Sequence, residues 1–92
     1  MIRIFLGRRF LATRERLSPE LQQAIEVVLR QVMDNFGMPH RHAGMGLRKL
    51  TPDYYECRVN VRLRILLYNR REGLLAYDIM THDEIRKFLR GL

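Results

Sequence analysis

Charged side chains alternate with apolar ones in the second half of the chain, where Glu56, Arg58, Arg62 and Arg64 share one parity and Cys57 has the other. A period of two is that of a β-strand, whose successive side chains point to opposite faces of a sheet. We therefore predict a sheet with one apolar face and one face that carries several guanidinium groups. Guanidinium presents a planar set of donors that matches phosphate oxygens, so this face is a candidate phosphate site. The alternative is a solvated face with weak cross-strand ion pairs.

A histidine follows the last predicted strand, within the letters T-H-D-E. These letters have the spacing of a capping box. In this motif the threonine is the N-cap of a helix, and the glutamate side chain accepts a hydrogen bond from the backbone N–H of the threonine. His82 is thereby placed at the rim of the arginine-bearing face, and imidazole changes charge near neutral pH. Cleavage of RNA by its own 2′-OH requires a proton acceptor, cations beside the phosphorus and a proton donor. We predict that Glu56, Arg64 and His82 are catalytic. The alternative for His82 is a residue at the start of a helix that is merely exposed to water.

Other basic residues are predicted to bind RNA phosphates. They lie on the arginine-bearing face or in residues 38–53, an aperiodic segment with Gly and Pro that predicts an ordered loop. These candidates are Arg41, Arg48, Lys49, Arg58 and Arg62. His40 and His42 in the same loop have no Cys or acidic partner at a fixed ligand spacing, so neither a metal nor a cofactor is expected.

The charge balance favours a polyanionic partner. In 92 residues, 17 Lys and Arg oppose 10 Asp and Glu, which gives a net charge of +7, and 15 of the 17 cations are arginine. Such an excess is typical of proteins that bind nucleic acid, a ribosome or an acidic protein, while a G+C-rich genome is a second source of arginine. A chain of this length supports one hydrophobic core, so a single domain over residues 1–92 is predicted. The lone cysteine, with no signal sequence or membrane span, predicts a cytoplasmic protein.

The hydropathy pattern predicts the elements that position these residues. In chain order they are a strand at 2–6, helices at 8–17 and 19–36, antiparallel strands at 54–60, 62–68 and 74–80, and a final helix to 89. Ser18 and Pro19 separate the two N-terminal helices as an N-cap and a first-turn residue. In the third of the later strands, Leu75, Tyr77 and Ile79 share a face. The fold class is therefore α+β, in the order β-α-α-β-β-β-α.

The same periods assign apolar residues to a core between the helix pair and one face of the sheet. The predicted core residues are Ile4, Leu21, Ile25, Val28, Leu63, Ile65 and Ile79.

Three blocks of sequence fall in an order and spacing that resemble the RelE/ParE superfamily of bacterial toxins from type II toxin–antitoxin modules. They are LRKLTPDYYECRVNVRLRILLY at 47–68, GLLAYDI at 73–79 and THDEIRKFL at 81–89. The resemblance covers nearly the whole chain. It implies a twisted antiparallel sheet with the two N-terminal helices on one face and a short helix at the C-terminus.

For function, the resemblance implies a RelE-like mRNA interferase, a metal-independent endoribonuclease that cuts mRNA on the ribosome and inhibits translation. Arg58 and Arg64 match phosphate-binding positions, His82 matches a proton-transfer position, and Glu56 stands where RelE has a lysine. Phe88 lies near the place of a family tyrosine, which leaves Glu56 and His82 as the acid–base pair. Implied partners are a cognate acidic antitoxin, the ribosome and mRNA. A ParE-like inhibitor of DNA gyrase and a non-catalytic basic domain that binds RNA or protein are the alternatives.

Overall fold

The computed structural model describes all of residues 1–92. Its elements are β1 (Ile4–Leu6), α1 (Arg8–Glu15), α2 (Pro19–Asn35), α3 (Pro39–His42), a 3₁₀ turn (Ala43–Met45), β2 (Leu47–Lys49), β3 (Tyr54–Arg58), β4 (Leu63–Arg70), β5 (Gly73–Thr81) and α4 (His82–Arg90). The predicted α+β class and the order of the longer elements are confirmed. None of the helices is both long enough and apolar enough to cross a bilayer.

The five strands form one sheet in the order β1-β5-β4-β3-β2. Strands β3, β4 and β5 pair in antiparallel fashion, as predicted, and β2 is antiparallel to β3, but β1 pairs with β5 in parallel, with Ile4 opposite Leu74. The sheet is therefore mixed, and the prediction of a purely antiparallel sheet was wrong for β1. Alternation within three residues does not indicate the direction of a strand. The direction of β1 relative to β5 depends on the path that the chain takes through the two helices that follow β1.

The segment predicted as a loop contains α3, the 3₁₀ turn and β2. Gly46 ends the 3₁₀ turn with φ of 76°, a left-handed conformation that favours glycine. Leu47 then lies opposite Cys57, so β2 becomes the edge strand beside β3. The loop prediction was wrong here because a single helical turn and a three-residue strand are too short to show a period.

The pair of N-terminal helices is held by its predicted cap. Ser18 Oγ accepts a hydrogen bond from the Leu21 backbone N–H at 3.2 Å, and Pro19 occupies the first turn of α2. The side-chain amide of Gln22 donates to the carbonyl oxygens of Arg14 and Leu17, which ties α2 to the end of α1. Together these bonds set the sharp turn that lays both helices on one face of the sheet.

The main core lies between the helix pair and that face. It consists of Phe10, Ile25, Val28, Val32, Leu47, Cys57, Ile65, Leu67, Leu74, Ala76 and Ile79. Four of the seven predicted core residues are in this set, and Ile4 and Leu63 pack against it as partly buried residues. Leu21 is only partly buried and lies outside the cluster.

A β-bulge in β5 changes which side chains reach this core. Leu66 pairs with Asp78 and Leu67 with Ala76, so Tyr77 is an extra residue that reverses the alternation. Leu74, Ala76 and Ile79 are buried, and the predicted grouping of Leu75 and Tyr77 with Ile79 was wrong. Asp78 Oδ1 stabilises the irregular backbone, because it accepts hydrogen bonds from the Ile79 N–H and the Thr13 hydroxyl, both at 2.7 Å.

The second face of the sheet is also partly covered. Helix α4 packs on β4 and β5 and buries Ile85, and Leu66 on this face is fully buried. Next to them, Phe88 packs against the rings of Tyr54 and Tyr77, with centroid distances of 5.5 and 5.0 Å. The arginine-bearing face is therefore not an open surface but a concave one, bounded on one side by α4.

Candidate active site

A pocket of about 340 Å³ opens on the arginine-bearing face. Its walls come from the 3₁₀ turn, β2, β3, β4 and the first residue of α4. The lining residues are Ala43, Gly46, Leu47, Arg48, Glu56, Arg58, Arg64 and His82. All three predicted catalytic residues and two of the predicted phosphate-binding residues are thus brought together in one place.

Glu56 is the only acidic residue in the lining and is almost fully buried, with 6% of its side chain exposed. Burial of a carboxylate is costly unless the charge is paired. Its Oε2 atom forms ion pairs with Arg48 Nη2 at 3.1 Å and with Arg64 Nε at 3.4 Å. The other oxygen, Oε1, is buried without a hydrogen-bond partner. One carboxylate oxygen is therefore paired with two arginines, and the second has no partner in the protein.

Two arginines face each other across adjacent strands. Arg58 on β3 lies directly opposite Arg64 on β4, an arrangement of like charges that is unfavourable unless an anion compensates it. Arg64 is paired with Glu56, whereas the exposed Arg58 makes no ion pair. With Arg48, three guanidinium groups and one carboxylate leave two positive charges uncompensated in the pocket. This excess fits an anionic ligand.

His82 is the first residue of α4, and the predicted capping box holds it there. The Thr81 hydroxyl accepts from the Glu84 N–H at 3.2 Å, and the Glu84 carboxylate accepts from the Thr81 N–H at 2.8 Å. The backbone and side-chain hydrogen bonds from Thr81 hold the pKa of Glu84 below its usual value. The Nδ1 atom of His82 is buried and has no partner. Two of the three buried polar atoms without a hydrogen-bond partner in the protein thus belong to residues that line this one pocket.

Three predicted phosphate-binding residues lie outside the pocket lining. Arg62 is exposed in the turn between β3 and β4, and Lys49 on β2 pairs with Tyr55, whose parity is opposite to that of Glu56. Arg41 on α3 donates to Asn35 Oδ1 at 3.0 Å. Strand parity and charge alone did not separate these surface cations from the convergent ones.

Ala43, Gly46 and Leu47 line the pocket but were not predicted as site residues. The Gly46 carbonyl accepts from the Arg58 N–H at 3.1 Å, and a Cβ atom on Gly46 would lie 3.1 Å from the Cβ of Arg58. Glycine is thus needed both for the left-handed turn and for close approach to β3. The pair of glycines at 44 and 46, next to basic residues, was the available sequence signal.

Cys57 lies on the opposite face of β3 and is fully buried, as its alternation predicted. Burial, followed by the nearby Glu56 charge, raises the pKa of the thiol to about 11. A protonated, buried thiol is a poor nucleophile. Cys57 therefore packs the core beneath the pocket and is not part of its chemistry.

His42 has a structural contact of its own. Its Nε2 atom accepts from the Gly37 N–H at 3.2 Å, and its ring stacks on Phe36. No group of three or more His, Cys, Asp or Glu side chains comes together in the chain.

No protein-family model and no curated protein matches the sequence. Three solved structures match almost their whole length: a chain of the RelB–RelE antitoxin–toxin complex from Methanococcus jannaschii, one of the E. coli DinJ–YafQ complex and one of the Staphylococcus aureus YoeB–YefM complex. The TM-scores are 0.67, 0.64 and 0.58. The chain has the RelE-type toxin fold.

The RelE-type fold is shared here without close sequence similarity. Identities to the RelE, YafQ and YoeB complexes are 9%, 13% and 15%, while the matches cover 91%, 92% and 89% of this chain. They cover 96%, 98% and 98% of the matched chains, so the fold is reproduced without large insertions on either side. The resemblance found in the sequence is confirmed at the level of the fold.

Proposed function

We propose that this protein is the toxin of a type II toxin–antitoxin pair and that it is a metal-independent endoribonuclease that cleaves mRNA on the ribosome. One observation carries the nuclease assignment: Glu56, Arg58, Arg64 and His82 line the same pocket, which has an excess of two positive charges. The RelE-type fold supports the toxin assignment. A gyrase inhibitor that acts by protein contact has no need for this convergence.

The geometry of the pocket supports separate roles for its side chains in RNA cleavage. The Glu56 carboxylate takes the proton of the 2′-OH, and the 2′-oxygen forms a bond to phosphorus. Arg58 and Arg64 stabilise the extra negative charge that develops on the phosphoryl oxygens. His82 donates a proton to the 5′-oxygen as the P–O bond breaks. The products are a 2′,3′-cyclic phosphate and a 5′-hydroxyl, so no water is consumed in the step.

Two macromolecular partners follow from the same surface. The pocket is lined mainly by phosphate-binding groups and offers few groups that read bases, so we expect the ribosome to orient the message. The net charge of +7 suits an acidic antitoxin that neutralises it. Both partners would place the toxin in the cytoplasm.

Cleavage of mRNA on programmed ribosomes tests the proposal. Arg64→Ala is expected to slow the chemical step by roughly two to three orders of magnitude, as loss of one preorganised donor does in other enzymes. His82→Ala is expected to have a comparable effect. Arg71→Ala is the matched control, because Arg71 is exposed beyond the far end of β4 and its loss changes the net charge equally.

Equal cleavage by the wild type and all three variants would show that Arg64 and His82 take no part in the chemical step. If the wild type does not cleave at all, the nuclease assignment fails, and inhibition of gyrase-catalysed supercoiling then tests the ParE-like alternative.

A further inference from the structure

Two guanidinium groups compete for the same carboxylate oxygen in the pocket. Arg48 Nη2 and Arg64 Nε lie 3.1 and 3.4 Å from Glu56 Oε2, while Oε1 has no partner. The two arginines differ in their surroundings. The Arg64 side chain is 14% exposed on the central strand β4, and that of Arg48 is 62% exposed on the three-residue edge strand β2.

This asymmetry makes one ion pair easily exchanged and the other permanent. A pair with a solvent-exposed arginine contributes little to stability, because water competes for the guanidinium group. Loss of every partner would leave a buried charge uncompensated, which is strongly unfavourable. Arg64 prevents that outcome when Arg48 departs. The pocket can therefore release Arg48 while Glu56 keeps its ion pair with Arg64.

We propose that Arg48 exchanges partners during the reaction cycle. In the free protein it pairs with Glu56, and when RNA enters it moves to a phosphate of the message. Glu56 then keeps only its ion pair with Arg64. Substrate binding thus releases the carboxylate from one of its two cations. The inference rests on the proposed function, since it concerns the same pocket and the same class of substrate.

Steady-state kinetics on programmed ribosomes separate this exchange from a fixed positioning role. For Arg48→Ala we expect KM to rise about tenfold and the slope of log KM against log salt to fall by about 0.7, as for one lost phosphate contact on a single strand. We expect kcat to change less than about twofold, because Glu56 keeps its ion pair with Arg64. For Arg48→Lys we expect KM to return most of the way to the wild-type value. Arg71→Ala is the charge-matched control. A kcat that falls tenfold or more at unchanged KM, or identical behaviour of Arg48→Ala and Arg71→Ala, overturns the exchange.

A second measurement does not depend on cleavage. A 2′-deoxy tetranucleotide carries phosphodiesters but has no 2′-OH, so it can bind and cannot react. In ¹H–¹⁵N spectra of the arginine Nε–H groups, we expect the Arg48 signal to shift as the tetranucleotide is added. The Arg64 signal should keep the chemical shift that it has when Arg64 is paired with Glu56. If the Arg58 signal responds and the Arg48 signal does not, the exchange is refuted.

The two proposals fail in different ways. A wild-type protein that shifts the Arg48 signal but never cleaves mRNA refutes the nuclease and leaves the exchange standing. A wild-type protein that cleaves normally while Arg48→Ala matches Arg71→Ala refutes only the exchange. The absence of any arginine response to the tetranucleotide refutes both phosphate binding and exchange.

Discussion

At the scale of single residues, two buried atoms without protein partners separate the pocket from an ordinary charged surface. They are Glu56 Oε1 and His82 Nδ1, and both residues line the cavity that also holds Arg58. A third such atom, Nε of Arg70, belongs to the Arg70–Glu72 ion pair outside the pocket, so it is the presence of two such atoms beside three arginines that distinguishes this site. The proposed roles of Glu56 as base and His82 as acid lead to a specific expectation for the dependence of the rate on pH.

We expect a bell-shaped profile for the single-turnover rate, since Glu56 must be ionised and His82 must be protonated. His82→Ala should remove the limb on which activity falls with rising pH, and Glu56→Gln should remove the limb on which it rises. The measurement is single-turnover cleavage on programmed ribosomes across pH 5 to 9, a range of about two units on either side of neutrality. If His82→Ala only scales the whole profile down, His82 is not the acid.

At the scale of elements, the capping box of α4 connects stability to the site. Thr81 and Glu84 satisfy each other's backbone N–H groups, and His82 is the first of the two residues between them. A cap that secures the first turn of α4 also fixes where the imidazole stands. The stability of this turn should therefore depend on pH.

Because hydrogen bonds from Thr81 lower the pKa of Glu84 in the folded state, its ionised form stabilises the fold above the ordinary glutamate pKa of about 4.3. That contribution is lost as pH falls through the lowered folded value. Urea unfolding should show a smaller loss of stability toward acid pH for Glu84→Gln than for the wild type. Glu15→Gln, at an exposed glutamate without side-chain hydrogen bonds, serves as the control and should follow the wild type. Equal acid dependence of all three proteins would contradict the cap.

At the scale of the whole molecule, the sheet is buried on both faces along part of its width. The main core covers one face, and α4 covers Leu66 on the other, where Glu56 pairs with it across the strands. The pocket is deep because α4 and the 3₁₀ turn rise on either side of the arginines. The apolar contact beneath α4 is therefore expected to stabilise the fold as the main core does.

Leu66→Ala should lower the free energy of unfolding by about 2–5 kcal/mol, the range for a leucine truncated in a core. Leu11→Ala, at a leucine that is 46% exposed on α1, should change it by less than about 0.5 kcal/mol. Thermal or urea unfolding followed by circular dichroism gives both values. A small effect of Leu66→Ala would mean that this face is open in solution and that α4 does not form the pocket wall.

Local chemistry is what the sequence by itself determined. Alternation along 54–58 and 63–65 placed Glu56 and the arginines on one face and Cys57 on the other. The caps at Ser18 and Thr81 could be predicted because their hydrogen bonds span only three residues. Backbone pairing was decided by the tertiary structure alone. The parallel pairing of β1 joins distant segments, with Ile4 opposite Leu74. The bulge at Tyr77 and the edge strand β2 have nearer partners, but neither leaves a period in the sequence. The convergence of β2, β3, β4 and α4 on one pocket belongs to the same class, because parity assigns a side chain to a face but not to a neighbour.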